Sequence, residues 1–343
     1  METIYNLSYD ELLELFKTWN WKKYRADQCF SWLYQKRCDD FKQMSDISKD
    51  AILKLEENFI INPLKLNTKQ VSKDKTIKYL FELSDGSLIE TVLMHHDYGK
   101  SICVTTQIGC DMGCKFCASG LTKKMRNLQA GEIVAQVLYA QKELDISEER
   151  VSNVVIMGIG EPFDNYENVM KFCSIINNPK SLAIGARHIT ISTCGVVPMI
   201  DMFSKEHVQY NLAISLHASN DRIRSELMPI NRAYGIKELI NSLKNYSIEN
   251  NRRITLEYIL LKDYNDKKEH AEELAKLIKG MNAYVNLIPY NTVDEHEFKS
   301  CDAKTSLKFY DYLMKSGVKA TLRTRHGDDI DAACGQLRVK KER

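Results

Sequence analysis

The residues VSNVVIMG (151–158), NVMKFCSIINN (168–178) and HITISTCG (188–195) run in the order apolar stretch, amphipathic stretch, apolar stretch. Two strand-like runs joined by a helix-length crossover can lie parallel in one sheet. Continuous rather than alternating apolar composition marks strands covered on both faces. The unit recurs in both directions. Upstream, SICVTTQIG (101–109) leads to EIVAQVLYAQKEL (132–144); downstream, YNLAISLHA (210–218), RRITLEYILL (252–261) and AYVNLIPYN (283–291) alternate with IKELINSLKNYS (236–247) and EHAEELAKLIKG (269–280). Six strands alternating with helices predict an α/β fold on a parallel sheet.

Before this series the period changes. IKYLFEL (77–83) and SLIETVLM (87–94) flank Asp85-Gly86 and read as a β-hairpin. Residues 1 to about 60 carry helical spacing, with Leu12, Leu13 and Phe16, then Phe30, Trp32 and Leu33, then Ile52 and Leu55. Lys22, Lys23, Arg25, Lys36 and Arg37 border these aromatics, as either an RNA-facing edge or an ordinary solvated face.

With 343 residues, 44% hydrophobic and 27% charged, the chain has material for one large α/β domain and an accessory module, and it is not a disordered composition. Its 48 Lys+Arg and 46 Asp+Glu leave a net charge of +2, so a nucleic-acid surface would have to be a local patch. METIYNLSYDELLELFK at the start lacks the basic-then-apolar order of a secretory leader. No run approaches the roughly 18 apolar residues of a spanning helix. A cytoplasmic protein without a membrane partner is the expectation, and its ten cysteines then point to metal or catalysis rather than structural disulfides.

In folds of this class chemistry gathers at the carboxyl ends of the strands. Cys110-x-x-x-Cys114-x-x-Cys117 sits in the loop after the first strand, among Gly109, Gly113 and Gly120, where the backbone can curl around a cluster. Three thiolates on a 4Fe-4S cluster leave one iron open, which can chelate the amino and carboxylate groups of a methionine-derived cofactor. A structural zinc site would want four closed ligands, usually in two short pairs, and the next thiol downstream is Cys173 with no such partner.

This loop, with Phe116 before its last cysteine, resembles the signature of the radical S-adenosylmethionine (SAM) superfamily. The resemblance narrows to the RlmN/Cfr family of RNA-adenosine methyltransferases, and to its RlmN branch. The residues that carry it are YRADQCFSWLYQKR (24–37), TTQIGCDMGCKFCASG (105–120), MGIGEPFDNYENV (157–169), IGARHITISTCGVVP (184–198), NLAISLHASNDRIRSELMPINRAY (211–234), NLIPYN (286–291) and GDDIDAACGQLR (327–338). Ile159, Phe163 and His326 depart from the residues usual at their positions.

The resemblance implies a partial (β/α)6 TIM-like radical SAM barrel with a small N-terminal helical/β accessory domain. It divides as residues 1–95, a radical SAM core at 96–329 and a C-terminal segment at 330–343. It also implies one 4Fe-4S cluster on Cys110, Cys114 and Cys117, and SAM contacts from Gly160, Glu161, Ser192, Ser215, Leu216, His217 and Asn291. RlmN members methylate carbon 2 of an adenosine in the peptidyl-transferase region of 23S rRNA, and some also act on the adenosine next to a tRNA anticodon; Cfr acts on carbon 8 of the same rRNA adenosine. In the implied reaction two SAM molecules are used per turnover. One methylates Cys334, and the other yields a 5′-deoxyadenosyl radical that removes hydrogen from the S-methyl group. The methylene adds to adenine, and a second thiol, at Cys103, releases the product by attacking the Cys334 sulfur, a step that forms a disulfide bond.

Glu90 aligns with the family's proton acceptor. An electron donor such as flavodoxin or ferredoxin and a monomeric state complete the expectation. On their own, Cys103 reads as a small core residue and Glu90 as a solvent-facing strand carboxylate. Lys115, Lys123, Lys124, Arg126, Arg187, His188, Arg323 and Arg325 flank the expected site and suit phosphate contacts. A non-catalytic RNA-binding module with a structural metal is the reading from another class.

Overall fold

A computed structural model describes residues 1–293, 295–324 and 326–337. Arg325 and the basic tail 338–343 lie outside the described residues. The ten strands of the main sheet are β1 (Leu64–Val71), β2 (Ile77–Leu83), β3 (Leu88–His96), β4 (Gly99–Cys103), β5 (Val151–Ile156), β6 (Ile189–Thr193), β7 (Asn211–Ser215), β8 (Ile254–Leu260), β9 (Ala283–Pro289) and β10 (Ala320–Leu322). Each lies beside its neighbour in sequence, from β1 at one edge to β10 at the other. β1 to β4 pair antiparallel and β4 to β10 pair parallel. Sequential parallel order is the winding of a TIM-type barrel, here an open one, rather than of a doubly wound sheet, whose order reverses midway.

The six expected strands are β4 to β9. β10 is a seventh parallel strand that the sequence did not suggest, since only three residues pair. The hairpin is present as β2–β3, and the sheet runs on through it across residue 95, because β3 pairs with β4 from Val92↔Cys103 to His96↔Gly99.

Side chains alternate across the sheet. Leu93, Ile102, Val154 and Ile156 face the helices in the principal core. Val92, Cys103 and Val155 form a separate cluster on the other face, in a row fixed by the pairings Val92↔Cys103↔Val155. The helices are α1 (Tyr9–Thr18), α2 (Lys23–Phe30), α3 (Lys49–Asn58), α4 (Ala130–Asp145), α5 (Tyr166–Asn177), α6 (Val197–Lys205), α7 (Asp221–Leu227), α8 (Ile236–Asn250), α9 (Lys268–Leu277) and α10 (Ala303–Lys315).

α4 is buried along most of its length because it is covered twice, by the sheet and by the N-terminal helical module. The module docks at the α4 N-terminus, where Asn6 Oδ1 accepts from Gly131 N at 2.7 Å. A Cβ at Gly131 would stand 2.5 Å from Thr3 Cγ2, so this approach requires glycine. At the far end of α4, Arg37 grips Asp145 with Nε at 2.5 Å and Nη2 at 2.8 Å, so one candidate RNA-facing cation serves the module's attachment instead.

Candidate active site

Beyond the carboxyl end of β4, Cys110, Cys114 and Cys117 line a cavity of about 890 Å³, together with Gly160, Glu161, Ser192, Ser215 and His217. Eight of the ten predicted cluster and cofactor residues are therefore brought together. Burial pushes the Cys110 thiol up to about 11 and Cys114 well above the usual thiol range; a metal must displace these protons to bind. Among the described residues no three His, Cys, Asp or Glu side chains converge on one ion position. Three thiols lining one cavity can each bind a different iron of a cluster.

Each cofactor candidate has a structural reason for its place. Gly160 has φ +112, and a Cβ there would lie 2.7 Å from Gln107 Cβ. Only glycine lets the loop after β5 come this close to the cluster loop. Glu161 is buried; its Oε2 accepts from Cys194 N at 2.7 Å and its Oε1 from Phe163 N at 2.9 Å. The carboxylate thus braces the loops after β5 and β6 while facing the cavity, and its burial raises its pKa above the ordinary value.

His217 takes the left-handed conformation with φ 57. Its Nδ1 accepts from Ile259 N at 3.1 Å, and its ring meets Phe116 edge-on at 4.8 Å. Burial, with Arg224 nearby, lowers its pKa to about 3. Leu216 does not line the cavity; it is fully buried, and its backbone N–H donates to Glu257 O at 3.0 Å.

Two residues of this site were not anticipated. Glu257, on β8, lines the cavity and accepts from Asn286 Nδ2 at 2.8 Å. Its signal was a lone carboxylate inside the apolar run ITLEYILL. Arg224, on α7, is fully buried. It donates to Cys194 O at 2.6 Å, Leu216 O at 3.2 Å, Ser215 O at 3.4 Å and Asn231 Oδ1 at 2.9 Å. One guanidinium thereby fixes the ends of β6 and β7. An arginine at helical spacing gives no sign of this in sequence.

A second cavity adjoins the first and shares Cys117, Ser119, Met157, Gly158, Ile288, Cys334 and Gly335 with it. Cys103 and Cys334 both line it, with Asn291, Arg323 and His326. Cys103 is thus on the cavity face and not in the helix-facing core. Burial, reinforced by Cys334, pushes its thiol up to about 12. Cys334 is reached by solvent through the cavity, yet the protein packed around it pushes its thiol up to about 11 against the opposing influence of Arg323. All ten cysteines are free thiols, so the Cys103–Cys334 disulfide implied by the resemblance is not formed here.

The segment carrying Cys334 is pinned by four hydrogen bonds to neighbouring loops. Ala118 N donates to Gly335 O at 2.8 Å, Ser119 Oγ to Leu337 O at 2.8 Å, Asn291 Nδ2 to Cys334 O at 3.1 Å and Gln336 Nε2 to Thr292 O at 3.1 Å. Asn291 Oδ1 is buried and finds no hydrogen-bond partner among the described residues. An orphaned acceptor at this depth is the mark of an absent donor, which fits a cofactor carrying amino or hydroxyl groups.

Glu90 lines neither cavity. It shares a strand face with Val92 and is buried, with Oε1 3.3 Å from Lys78 Nζ, and Lys78 also donates to Asp331 O at 3.3 Å. It therefore sits beneath the Cys334 segment and is not the solvent-facing carboxylate that its position alone suggested. The flanking cations divide. Lys115 and Lys123 are exposed, and Arg323 lines the second cavity. Arg126 is held by Glu132 and Asp85, and Lys124 by Asp164. Arg187 and His188 precede β6, at the amino ends of the strands and away from the site; His188 Nδ1 there meets Asn153 Oδ1 at 2.9 Å.

Comparison with known proteins agrees with this geometry. Residues 104–278 match the radical SAM superfamily model, and residues 3–61 match the model of the ribosomal RNA large subunit methyltransferase N-terminal domain. The chain is 54% identical over 340 residues to the probable dual-specificity RNA methyltransferase RlmN of Staphylococcus aureus strain JH9, covering 99% of this chain and 93% of the relative; the protein of the same name in strain COL matches equally. Among solved structures, a radical SAM methyltransferase from Sphaerobacter thermophilus superposes with a TM-score of 0.96 at 41% identity, over 98% of this chain and 99% of that one. The superfamily implies SAM and an iron–sulfur cluster. A three-cysteine loop, a glycine-carboxylate turn and a thiol pair in adjoining cavities, matched over nearly the whole length, make this chain a member of the RlmN family of radical SAM RNA methyltransferases.

Proposed function

We propose that this protein methylates carbon 2 of an adenosine in the peptidyl-transferase region of 23S rRNA, and of the adenosine next to a tRNA anticodon, using Cys334 as methyl carrier. The observation that carries the reading is the shared cavity of Cys103 and Cys334, opening onto the cavity of Cys110, Cys114 and Cys117. The relatives' name, a dual-specificity RNA methyltransferase, supports two RNA substrates.

Carbon 2 of adenine is electron-poor and has no acidic proton near neutral pH, so a base cannot make it a nucleophile. Cys110, Cys114 and Cys117 would hold one 4Fe-4S cluster, and Gly160, Glu161, Ser192, Ser215, His217 and Asn291 would hold SAM, with Leu216 set behind the cavity wall. When bound, these groups supply the methyl carbon and the one-electron chemistry that such a centre needs. Cys334 receives and presents the methyl carbon, on a segment of small residues that a flipped base can approach. Cys103 then bonds to the Cys334 sulfur as that sulfur's bond to the delivered carbon breaks, and the ring proton goes to Glu90, which lies outside the cavity beside Lys78 and so requires the Cys334 segment above it to move aside. His217 stays neutral throughout and serves as acceptor and packing partner.

Residues 1–95 act as an RNA-contacting module, 96–329 as the radical core and 330–343 as the carrier segment. The setting is a cytoplasmic monomer reduced by a flavodoxin or ferredoxin. The test is anaerobic reconstitution followed by assay on protein-free 23S rRNA and on bulk tRNA, with the modified position read by mass mapping. A 2-methyladenosine product is expected; an 8-methyl product, or none on either RNA, overturns the reading.

A further inference from the structure

The second cavity has a direction. Its wall on β3 is Val92 and Met94, and His96 continues the same alternate series beyond the lining, Val92 lying opposite Cys103 and His96 opposite Gly99. The cluster loop follows Cys103, so moving from Val92 to His96 leads away from it, by about 13 Å for four residues. The cluster cysteines stand at one end, the two thiols in the middle, and the His96 end is remote from both.

At that end the rings form a series. His326 lines the cavity. His96 meets it edge-on at 4.8 Å and 90°. Tyr98 stacks on His96 at 4.7 Å and 8° and is 74% exposed. The series therefore runs from the cavity lining out to solvent. Its rings come from two separate parts of the chain, and a third orients them. Tyr98 stands in the β3–β4 turn, where Gly99 at φ +134 brings the backbone to within 2.3 Å of Ser152 Oγ for any added Cβ. His326 is oriented by Asp74 of the β1–β2 turn, whose Oδ2 lies 3.2 Å from its Nδ1 and also accepts from Gly327 N at 3.1 Å. Burial and the nearby His326 hold the His96 imidazole below its ordinary pKa, so it presents an uncharged face.

A large exposed aromatic ring already stacked on one side offers its other face to one more ring. Stacking of this kind binds nucleobases whatever their identity. We propose that Tyr98, backed by His96 and His326, is the stacking platform for an RNA base that flanks the target adenosine, with Arg323 in the same cavity wall placed for the intervening phosphate. The base to be methylated would enter from the Tyr98 end and meet Cys334 and Cys103 before it meets the cofactor cavity. This rests on the RNA-methylating function proposed above and adds where the strand is held.

The test uses the full-length reconstituted protein with protein-free 23S rRNA, comparing wild type with Tyr98→Ala and Tyr98→Phe. RNA dissociation constants are measured by filter binding and KM for RNA by methyl incorporation. Tyr98→Ala is expected to weaken RNA binding and raise KM by about tenfold, and Tyr98→Phe, which keeps the ring, to restore the wild-type values. Because Tyr98 projects into solvent, thermal melting separates loss of the platform from loss of the fold. If wild type methylates RNA and Tyr98→Ala binds it within about twofold as tightly, the platform is wrong and the function stands. If wild type itself neither binds nor methylates RNA, both fall.

Discussion

Asn291 holds Cys334 by its backbone: the side-chain amide of one donates to the carbonyl of the other at 3.1 Å, while Asn291 Oδ1 stays buried with no partner among the described residues. A single side chain therefore positions the proposed methyl carrier and offers an acceptor to whatever fills the adjoining cavity. Asn291→Ala removes both functions. Since a buried hydrogen bond contributes about 1 kcal/mol net, the expected result is a SAM dissociation constant raised roughly fivefold by calorimetry, together with a lower yield of S-methylated Cys334 by mass spectrometry. Unchanged values for both would remove Asn291 from the site.

The two thiols have separable failures. Cys103→Ala should leave RNA attached through Cys334, visible as a slower-migrating protein–RNA species on a denaturing gel. Cys334→Ala should give neither adduct nor product. Methylation at the wild-type rate in either variant would refute the assigned roles.

In the proposed release step the Cys103 thiolate is the attacking group, and burial pushes that thiol up to about 12. Below this value the thiolate fraction rises about tenfold per pH unit, since the shift disfavours the charged form. The rate at which a trapped adduct resolves should therefore climb steadily from pH 7 to 9, without levelling off near 8.5, the value of an unperturbed thiol. Rapid quench at several pH values reads this slope.

His217 is neutral in the folded protein down to about 3, whereas an unfolded histidine protonates below about 6.5. The unfolded chain thus binds more protons between these values, so this group's contribution is fully present above 6.5 and is lost as pH falls towards 3. The loss amounts to about 1.4 kcal/mol per pH unit inside that window. His217→Asn, which keeps an acceptor and tolerates the left-handed backbone, should flatten the pH dependence of denaturant-midpoint stability by that slope. Parallel curves for the two proteins would show that the imidazole is not buried as described.

Arg224 satisfies buried carbonyls that no other described side chain is seen to reach. Arg224→Met leaves the carbonyls of Cys194 and Leu216 without this donor, at a cost of about 3 kcal/mol. A lysine has no planar fork with which to replace it. Both variants should lower the urea midpoint and weaken SAM binding, because the ends of β6 and β7 lose their common anchor.

Much of this was legible in advance where local pattern and global fold agree. Continuous apolar runs gave β4 to β9, and turn chemistry at Asp85-Gly86 gave the hairpin. Sequence could not show that the hairpin extends the barrel's own sheet, since strand pairing across residue 95 depends on register rather than composition. β10 was too short to register as a pattern. In the site, the motif residues converged because they end successive parallel strands. Arg224 and Glu257 escaped because their importance lies in which backbone groups they satisfy, and Glu90 was misjudged in isolation because its partner Lys78 comes from the neighbouring strand. Arg187 and His188 were placed near the site by their closeness to a strand in sequence, but they precede that strand and so lie at its opposite end.

The strictly sequential strand order has a last consequence for synthesis. Because no strand is inserted between earlier ones, the sheet can grow by addition at one edge as the ribosome lengthens the chain. All three cluster cysteines and every strand are complete before residue 334 is made. The nascent chain thus possesses its three-cysteine loop before it possesses the thiol proposed as carrier, which arrives on a strap that lies over an already formed cavity.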